Sequence, residues 1–255
     1  MQKERAIETH SQQAQEFADS YRQMADVDPY QTCFTYSRRR LDQYLKKYLP
    51  ENGEGLRVLD VGCGTGHHMA ALRQRGFEVA GVDGSADMLE QARANNPGVE
   101  IHLSDVEKIP FPDASFDFVL CVEVLRYLPQ ISPCLHEMAR VLKPGGVCLV
   151  TAAPLWSINA YPIVNRAASM VPMGDLVRLK QFFTTARTLR RESRKAGFSN
   201  PVVHGVYFGP LNWVEHLAPK SLPNFLRRWE SLDEKVADNR LGRDLCNMYL
   251  LRAVR

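Results

Sequence analysis

Two hydrophobic periods alternate along the middle of the chain. Between Leu56 and Ala153, short strand-like apolar runs alternate with stretches in which apolar residues recur every three or four positions. The strand-like runs are LRVLDVG, FEVAGVD, VEIHLSD, DFVLCVEVL and VCLVTAA, and the helical stretches are GHHMAALRQRG, SADMLEQARANN and ISPCLHEMARVL. This alternation predicts right-handed βαβ units and an α/β fold with a doubly wound, mostly parallel sheet.

The two flanks of this region have different patterns. Before it, QQAQEFADSYRQMA places Phe17 and Tyr21 on one helical face, and RRRLDQYLKKYLP predicts a helix that Pro50 ends. After it, we expect a helical insertion, a basic helix in TTARTLRRESRKAGF, a strand in PVVHGVYFG and a terminal strand in CNMYLLRAVR. We therefore predict one domain in three parts: a helical N-terminal cap at 1–50, a core at 56–153, and a substrate-side insertion with the last strands at 154–255.

Composition and charge narrow the class of protein. The 255 residues are 45% hydrophobic and 24% charged, with a net charge of +3, which is too mild a basic excess to indicate a nucleic-acid binder. The six cysteines are scattered without a CxxC pair or a histidine cluster, so we expect reduced thiols and no metal site. The polar start MQKERAIETHSQQAQ and the short apolar runs predict a cytoplasmic protein without a transmembrane segment, with peripheral membrane contact left open.

The segment VLDVGCGTGHHM has glycines at alternate positions where a strand gives way to a helix. Gly62, Gly64 and Gly66 leave a backbone that a ligand can approach without meeting Cβ atoms. The helix that follows offers unpaired N–H groups, and ligands of open α/β sheets bind beyond the carboxyl ends of the strands. The turn therefore predicts a nucleotide-type site, with tight strand–helix packing as the alternative.

Aspartates end the next two strands. Asp83 can accept both ribose hydroxyls of an adenosine, although it could instead cap the helix that follows. Asp105 is placed to accept from an adenine amine, or to form an Asx turn. Met88 can pack on the adenine face or belong to the core.

The spacing of the glycines separates two adenosine cofactors. The dinucleotide fingerprint is G-x-G-x-x-G, which brings a pyrophosphate to the helix N-terminus. Here the spacing is G-x-G-x-G, and Asp60 stands two residues before the first glycine. A carboxylate there would repel a pyrophosphate but suit the ammonium group of a methionine moiety. The charge favours S-adenosylmethionine (SAM) over NAD(P).

The motifs taken together resemble a known family. VLDVGCGTG, VAGVDGSADMLEQAR, SDVEKIPFPDASFDFVLCVEVL and VLKPGGVCLVTAAP are similar, in order and spacing, to the motifs of class I SAM-dependent methyltransferases of the small-molecule type. The resemblance implies a Rossmann-like seven-stranded sheet with helices on both faces, whose last strand inserts antiparallel beside the strand at 202–207. It also implies SAM as the cofactor.

The resemblance carries a set of cofactor-binding residues onto this chain. Those residues are Asp60, Gly62, Cys63, Gly64, Gly66, Asp83, Gly84, Met88, Asp105, Val106, Cys121 and Glu123. In similar enzymes the N-terminal helices, which here contain Tyr21, Tyr30 and Tyr36, close over SAM. One of Arg38, Arg39 and Arg40 is expected to reach the methionine carboxylate, and the sequence does not choose among them.

No catalytic base stands out. Methyl transfer needs a base only when the acceptor atom is protonated and weakly acidic. The candidates are His204, Tyr207, His216 and Tyr161, with Tyr127, His67 and His68 as further ones, and a structural role is the alternative for each. Relatives often have a histidine where this chain has Arg126, so no base can be carried over to that position.

These observations predict a methyltransferase acting on a small acceptor. A lipophilic acceptor is among the candidates, because Trp156, Tyr161, Met170 and Met173 could line an apolar pocket, although core packing is the alternative. Oxygen is the favoured methyl-accepting atom, with carbon or nitrogen as alternatives. An RNA-modifying enzyme that uses the basic helix at 187–195, or a SAM-binding protein without turnover, are the competing hypotheses.

Overall fold

The computed structural model describes residues 2–24, 27–168 and 181–255. A seven-stranded sheet in the order β3-β2-β1-β4-β5-β7-β6 forms its centre. The strands are β1 (Arg57–Val61), β2 (Glu78–Asp83), β3 (Glu100–Leu103), β4 (Phe116–Cys121), β5 (Leu142–Ala152), β6 (Ser199–Gly205) and β7 (Tyr249–Val254). Strands β1 to β5 pair in parallel, and β7 lies antiparallel between β5 and β6. The predicted sheet, including its inserted last strand, is confirmed.

Helices cover both faces of the sheet. They are α1 (Gln2–Gln12), α2 (Ala14–Met24), α3 (Cys33–Tyr48), α4 (His67–Gln74), α5 (Ala86–Asn95), α6 (Ser132–Val141), α7 (Tyr161–Ala168), α8 (Ala186–Lys195), α9 (Leu211–Leu217), α10 (Leu222–Val236) and α11 (Arg240–Asp244). Leu135 of α6 and Leu189 of α8 are buried in one hydrophobic cluster. Leu41 of α3, Met69 of α4 and Leu89 of α5 are buried in the other. The central strand β4 is apolar along most of its length because both of its faces are covered.

The start of β5 differs from the prediction. The apolar run VCLVTAA predicts a strand at 147–153, but β5 begins at Leu142, which pairs with Phe116. The N–H of Gly145 donates to the carbonyl of Arg255, and the N–H of Arg255 donates to the carbonyl of Gly146. These two bonds connect the KPGG segment to Arg255, while Gly145 keeps a positive φ of 81°.

The outer parts are described less completely than the core. The division of the chain into cap, core and substrate side stays a prediction, and Met170 and Met173 lie outside the described residues. None of the helices in the described ranges has the length and hydropathy needed to cross a membrane. All six cysteines are buried thiols. The part of the chain that is described contains no group of three or more His, Cys, Asp or Glu side chains suited to a metal ion.

A buried carboxylate joins the N-terminal helices to the C-terminal part. Asp233 of α10 is 0% exposed and accepts a hydrogen bond of 2.6 Å from the hydroxyl of Tyr36 in α3. Its other oxygen accepts from the N–H of Phe208, and Nε of Arg40 lies 3.2 Å away. Burial raises the pKa of Asp233 to about 6. The Asp233 carboxylate therefore connects α3 to α10, and its hydrogen bonds offset the cost of burying it.

We expect Tyr36→Phe to lower the free energy of unfolding by about 1–3 kcal/mol, because it removes the hydroxyl donor from the buried Oδ2 of Asp233 and leaves that oxygen only its ion pair with Arg40. Urea unfolding at pH 7.5 measures the loss. Tyr44→Phe is the matched control, since the Tyr44 hydroxyl donates to the neutral carbonyl of Gly205 from a half-buried position. An equal loss in both variants would contradict a special role for the Asp233 network.

Candidate functional site

A cavity of about 390 Å³ opens where the parallel strands end. Its floor consists of the glycine turn after β1, the end of β2, and the segment that follows β4. Helices α1, α2 and α3 supply the opposite wall, through residues that include Ile7, Phe17 and Phe34. The cavity therefore lies at the carboxyl edge of the sheet, where the strand order reverses between β1 and β4.

Two features of the turn require glycine. Gly62, Gly64 and Gly66 all have positive φ angles, of 72°, 52° and 80°. A Cβ on Gly62 would lie 2.2 Å from Cγ2 of Val124, and one on Gly66 would lie 2.3 Å from Nδ2 of Asn96. Gly62 and Gly64 line the cavity, whereas Gly66 does not. Backbone conformation and packing thus require glycine here in addition to any approach by a ligand.

Asp83 connects the ends of β1 and β2. Its Oδ2 accepts from the N–H of Gly64, and its Oδ1 accepts from the N–H of Ser85, each at 2.9 Å. The cap of α5 is Ser85, whose hydroxyl accepts from the N–H of Met88. Burial raises the pKa of Asp83 even though these N–H donors oppose the shift. Asp83 lines the cavity as a nearly buried carboxylate.

Asp60 lies beneath the turn and does not line the cavity wall. It is 2% exposed, and its Oδ2 has no hydrogen-bond partner in the described structure. Burial, with a contribution from the nearby Asp83 carboxylate, raises its pKa to about 7. A cation close to the turn would remove the cost of keeping this group ionised.

The three successive arginines of α3 differ in their partners. Arg38 lines the cavity, is 8% exposed, and has no hydrogen-bond partner in the described ranges for Nε or Nη1. Its guanidinium carbon lies 5.1 Å from the ring centre of Phe34 and 5.6 Å from that of Tyr21. Arg39 pairs instead with Glu230, and Arg40 with Asp233 and Glu234. Among these three arginines, Arg38 is therefore the one available to an anionic ligand group.

Helix α1 lies over the ends of β2 and β3. Lys3 bonds Asp105 at 2.5 Å and Glu107 at 2.6 Å, and the hydroxyl of Ser11 lies 2.6 Å from that of Ser85. Asp105 also accepts from the N–H of Glu107, which is the Asx geometry that the sequence left as an alternative. Sequence reasoning missed the residues of α1 in the wall, although Ala6 and His10 share one face of that helix.

The remaining predicted cofactor residues divide into two groups. The cavity lining contains Cys63, Gly84, Met88, Asp105, Val106 and Glu123. Cys121 is fully buried in the adjacent core and is not part of the wall. Glu123 has a positive φ of 65°, its N–H donates to the hydroxyl of Thr151, and its carboxylate pairs with Arg126 at 2.8 Å. Glu123 is thus held in one orientation after β4.

Aromatic rings cover the other side of the cavity. His67 stacks on Tyr21 with ring centres 4.5 Å apart, and His10 meets Tyr127 edge-on at 4.9 Å. Burial lowers the pKa of His67 and lowers that of His68 well below its usual value. Both imidazoles are therefore neutral at pH 7 and weak as bases.

The four main candidates for a catalytic base lie outside this cavity. His204 bonds Tyr48 and Asp238, and His216 is exposed on α9. Tyr161 and Tyr207 line a second cavity of about 200 Å³. Arg126 borders both cavities. Tyr161 and Tyr207 thus line a cavity that adjoins the first one, whereas His204 and His216 line neither.

Carboxylates at neighbouring strand ends around a bare turn define the site of an α/β protein that binds a nucleoside. Residues 59–150 match the model of the family described as Methyltransferase domain. The ubiquinone biosynthesis O-methyltransferase of Alkalilimnicola ehrlichii is 30% identical over 185 residues, which cover 69% of this chain and 74% of that protein. The chain belongs to the SAM-dependent methyltransferases, and the prediction of SAM as cofactor is confirmed.

Two further similarities are more limited. The biotin biosynthesis bifunctional protein BioHC of Cellvibrio japonicus is 37% identical over 187 residues, which cover 64% of this chain but 37% of that protein. A chain in the solved complex of the Haloferax volcanii Trm112 methyltransferase activator with a methyltransferase superposes with a TM-score of 0.64 at 20% identity, and 96% of each chain is covered. The second similarity shows the fold alone.

We expect Asp60→Asn to stabilise the ligand-free protein at pH 8 by up to about 4 kcal/mol, because it removes a buried charge. The folded pKa of about 7 exceeds the ordinary 3.8, so the contribution of Asp60 to stability falls as pH rises from about 4 to 7. Urea unfolding at pH 5 and pH 8 should show the gain of the variant shrinking at the lower pH.

Asp117→Asn is the control of opposite sign. Hydrogen bonds from the N–H of Arg57 and from Lys143 outweigh desolvation and lower the pKa of Asp117. This variant should lose stability at pH 8. A variant of Asp60 that is no more stable than the wild type at pH 8 would show that the Asp60 carboxylate is not strained.

Proposed function

We propose that this protein transfers the methyl group of SAM to a small-molecule acceptor, with oxygen as the favoured acceptor atom and carbon or nitrogen as alternatives. One observation carries the proposal. Arg38 and Asp60 are two buried groups near the glycine turn, of opposite charge when ionised, and each has atoms without a partner in the described structure. The methionine end of SAM carries a carboxylate and an ammonium group, which match this pair. A pyrophosphate would face Asp60 with like charge.

The roles of the other residues follow from their places around the cavity. Arg38 binds the methionine carboxylate, and Asp60 stabilises the ammonium group from beneath the turn at Gly62 to Gly64. Asp83 accepts hydrogen bonds from the ribose hydroxyls and keeps those from the N–H groups of Gly64 and Ser85. The adenine lies between Met88, Asp105 and Val106. The bound cofactor supplies an electrophilic methyl group.

The chain contributes mainly position and exclusion of water. The N-terminal helices cover the cofactor end of the cavity, and the rings of Tyr21, Phe34 and Tyr127 give it an apolar wall. We place the acceptor beside Arg126, where the first cavity meets the second. The ubiquinone O-methyltransferase relative supports oxygen as the acceptor atom and a lipophilic acceptor. The low pKa values of His67 and His68 speak against a histidine base.

The basic helix does not favour an RNA substrate. Leu189 of α8 is buried in the core, and Arg191 and Lys195 both bond the carboxylate of Glu192. Part of the positive charge is therefore neutralised within the helix.

Calorimetry tests the cofactor assignment. We expect SAM and S-adenosylhomocysteine to bind and NADH not to bind. Asp83→Ala should abolish detectable SAM binding, because it removes the ribose acceptor and frees the N–H groups of Gly64 and Ser85. Circular dichroism controls for unfolding of the variant. Binding of NADH without SAM would overturn the proposal, and retained SAM affinity in the variant would remove Asp83 from the ribose role.

Neighbouring arginines provide a matched pair of variants. Arg38→Gln should weaken SAM binding roughly ten- to hundredfold, since it removes a charged hydrogen bond in a buried site. Arg39→Gln should change the affinity less than about twofold, because Arg39 is occupied by Glu230. Titration of both variants at one salt concentration measures the difference. Equal effects at the two positions would exclude Arg38 as the carboxylate ligand.

A homocysteine-release assay with a panel of phenolic, carboxylic and amine acceptors tests turnover. Release with at least one small acceptor supports the enzyme assignment. Binding of SAM without release for any acceptor class would support a SAM-binding protein without turnover.

A further inference from the structure

The second cavity is polar and borders the cofactor cavity. Its volume is about 200 Å³, and Arg126 lies on the walls of both cavities. The lining residues that matter here are Arg126, Asn159, Tyr161 and Tyr207. The lining among the described residues contains one cation and no acidic residue.

Arg126 is positioned rigidly and keeps donors available. It follows β4 in a 3₁₀ turn at Leu125–Tyr127, and its carbonyl accepts from the N–H of Phe182. Glu123 pairs with Nη2 at 2.8 Å. A guanidinium has five N–H donors in a planar fork, so one carboxylate partner leaves most of them for a ligand. Glu123 therefore orients Arg126 and leaves N–H donors of its guanidinium for a ligand.

Tyr161 and Tyr207 line the same cavity. The hydroxyl of Tyr161 accepts from Nε2 of Gln181 at 2.9 Å, which leaves its own proton to donate. Burial raises the pKa of Tyr207, so its hydroxyl is protonated and can donate as well. A guanidinium with two phenolic donors forms a binding set for an anionic oxygen group.

Asn159 shows independently that the cavity suits a polar occupant. Asn159 lines the cavity and is 5% exposed. Its Oδ1 has no hydrogen-bond partner within the described structure. A buried amide oxygen without a donor is costly, so an occupant with a hydrogen-bond donor in addition to its anionic group would relieve it.

We propose that the second cavity is a carboxylate-binding subsite, in which Arg126 binds the carboxylate of the methyl acceptor with help from the hydroxyls of Tyr161 and Tyr207. The acceptor class is accordingly a small organic acid. A carboxylate is favoured over a phosphate because the described lining residues contain no second cation to balance the higher charge of a phosphate. The inference rests on the proposed function, because that function assigns this cavity to the methyl acceptor. The binding itself is measured without the cofactor.

The test is a titration of the full chain with hexanoate, followed by ligand-observed NMR at pH 7.5. Methyl hexanoate is the neutral probe of matched length, and hexyl phosphate is the probe of higher charge. We expect hexanoate to bind at least tenfold more tightly than the ester and more tightly than the phosphate. This comparison on the wild-type protein decides the proposal even if a variant fails to fold.

Variants assign the binding to Arg126. Arg126→Gln should weaken hexanoate binding at least tenfold, and Arg126→Lys should restore only part of it, because an ammonium lacks the planar fork. Tyr161→Phe should weaken it by a smaller factor. Arg191→Gln, at an exposed arginine that pairs with Glu192 on α8, is the matched control and should bind as the wild type does.

The outcomes separate this proposal from the cofactor assignment. Equal binding of hexanoate and its ester, tighter binding of hexyl phosphate, or unchanged binding in Arg126→Gln would overturn the carboxylate subsite. Each of these results leaves SAM binding untouched. Loss of SAM binding with intact, Arg126-dependent hexanoate binding would overturn the proposed function and keep the subsite.

Discussion

The carboxylate of Asp83 is the interaction on which the candidate site depends. It accepts from the N–H of Gly64, in the turn after β1, and from the N–H of Ser85, where α5 begins. The two bonds hold neighbouring strand ends in a fixed relation and aim the bare turn at the cavity. Burying a carboxylate there is costly, and these N–H groups reduce the cost, as would a ligand that adds donors or positive charge. Burial and the charge of Asp83 also raise the pKa of Asp60, the second carboxylate at this turn.

The covering elements are coupled to the core by polar contacts as well as by apolar packing. Lys3 connects α1 to the segment after β3, and Tyr36 connects α3 to α10 through Asp233. Arg38 lies on the same helix as Tyr36 but faces the cavity instead. A single helix thus contributes one side to the contact with α10 and the other to the cavity wall, as the 3.6-residue period requires of residues two apart.

The site could be predicted from the sequence only in part. The residues of the β1–β2 region, such as Gly62 and Asp83, could be named because parallel strands end at one edge and the spacing of the motif is local. Arg38 could not be separated from its two neighbours, since only the packing of α3 shows which arginine lacks a carboxylate partner. The wall formed by α1 and the cavity around Arg126 depend on contacts between residues far apart in the chain.

The amino-acid sequence alone was sufficient for the parallel sheet, the order of its elements in the chain and the cofactor class. These properties depend on hydrophobic periodicity, on glycine backbone freedom and on the sign of the charge at Asp60, all of which are local. Only the tertiary structure shows that β5 begins at Leu142 and that Asp60 is buried beneath the turn. It also shows how the partners of Arg38 differ from those of Arg39 and Arg40. The reason is physical: burial and pairing depend on which distant groups surround a side chain, and no local pattern encodes those surroundings.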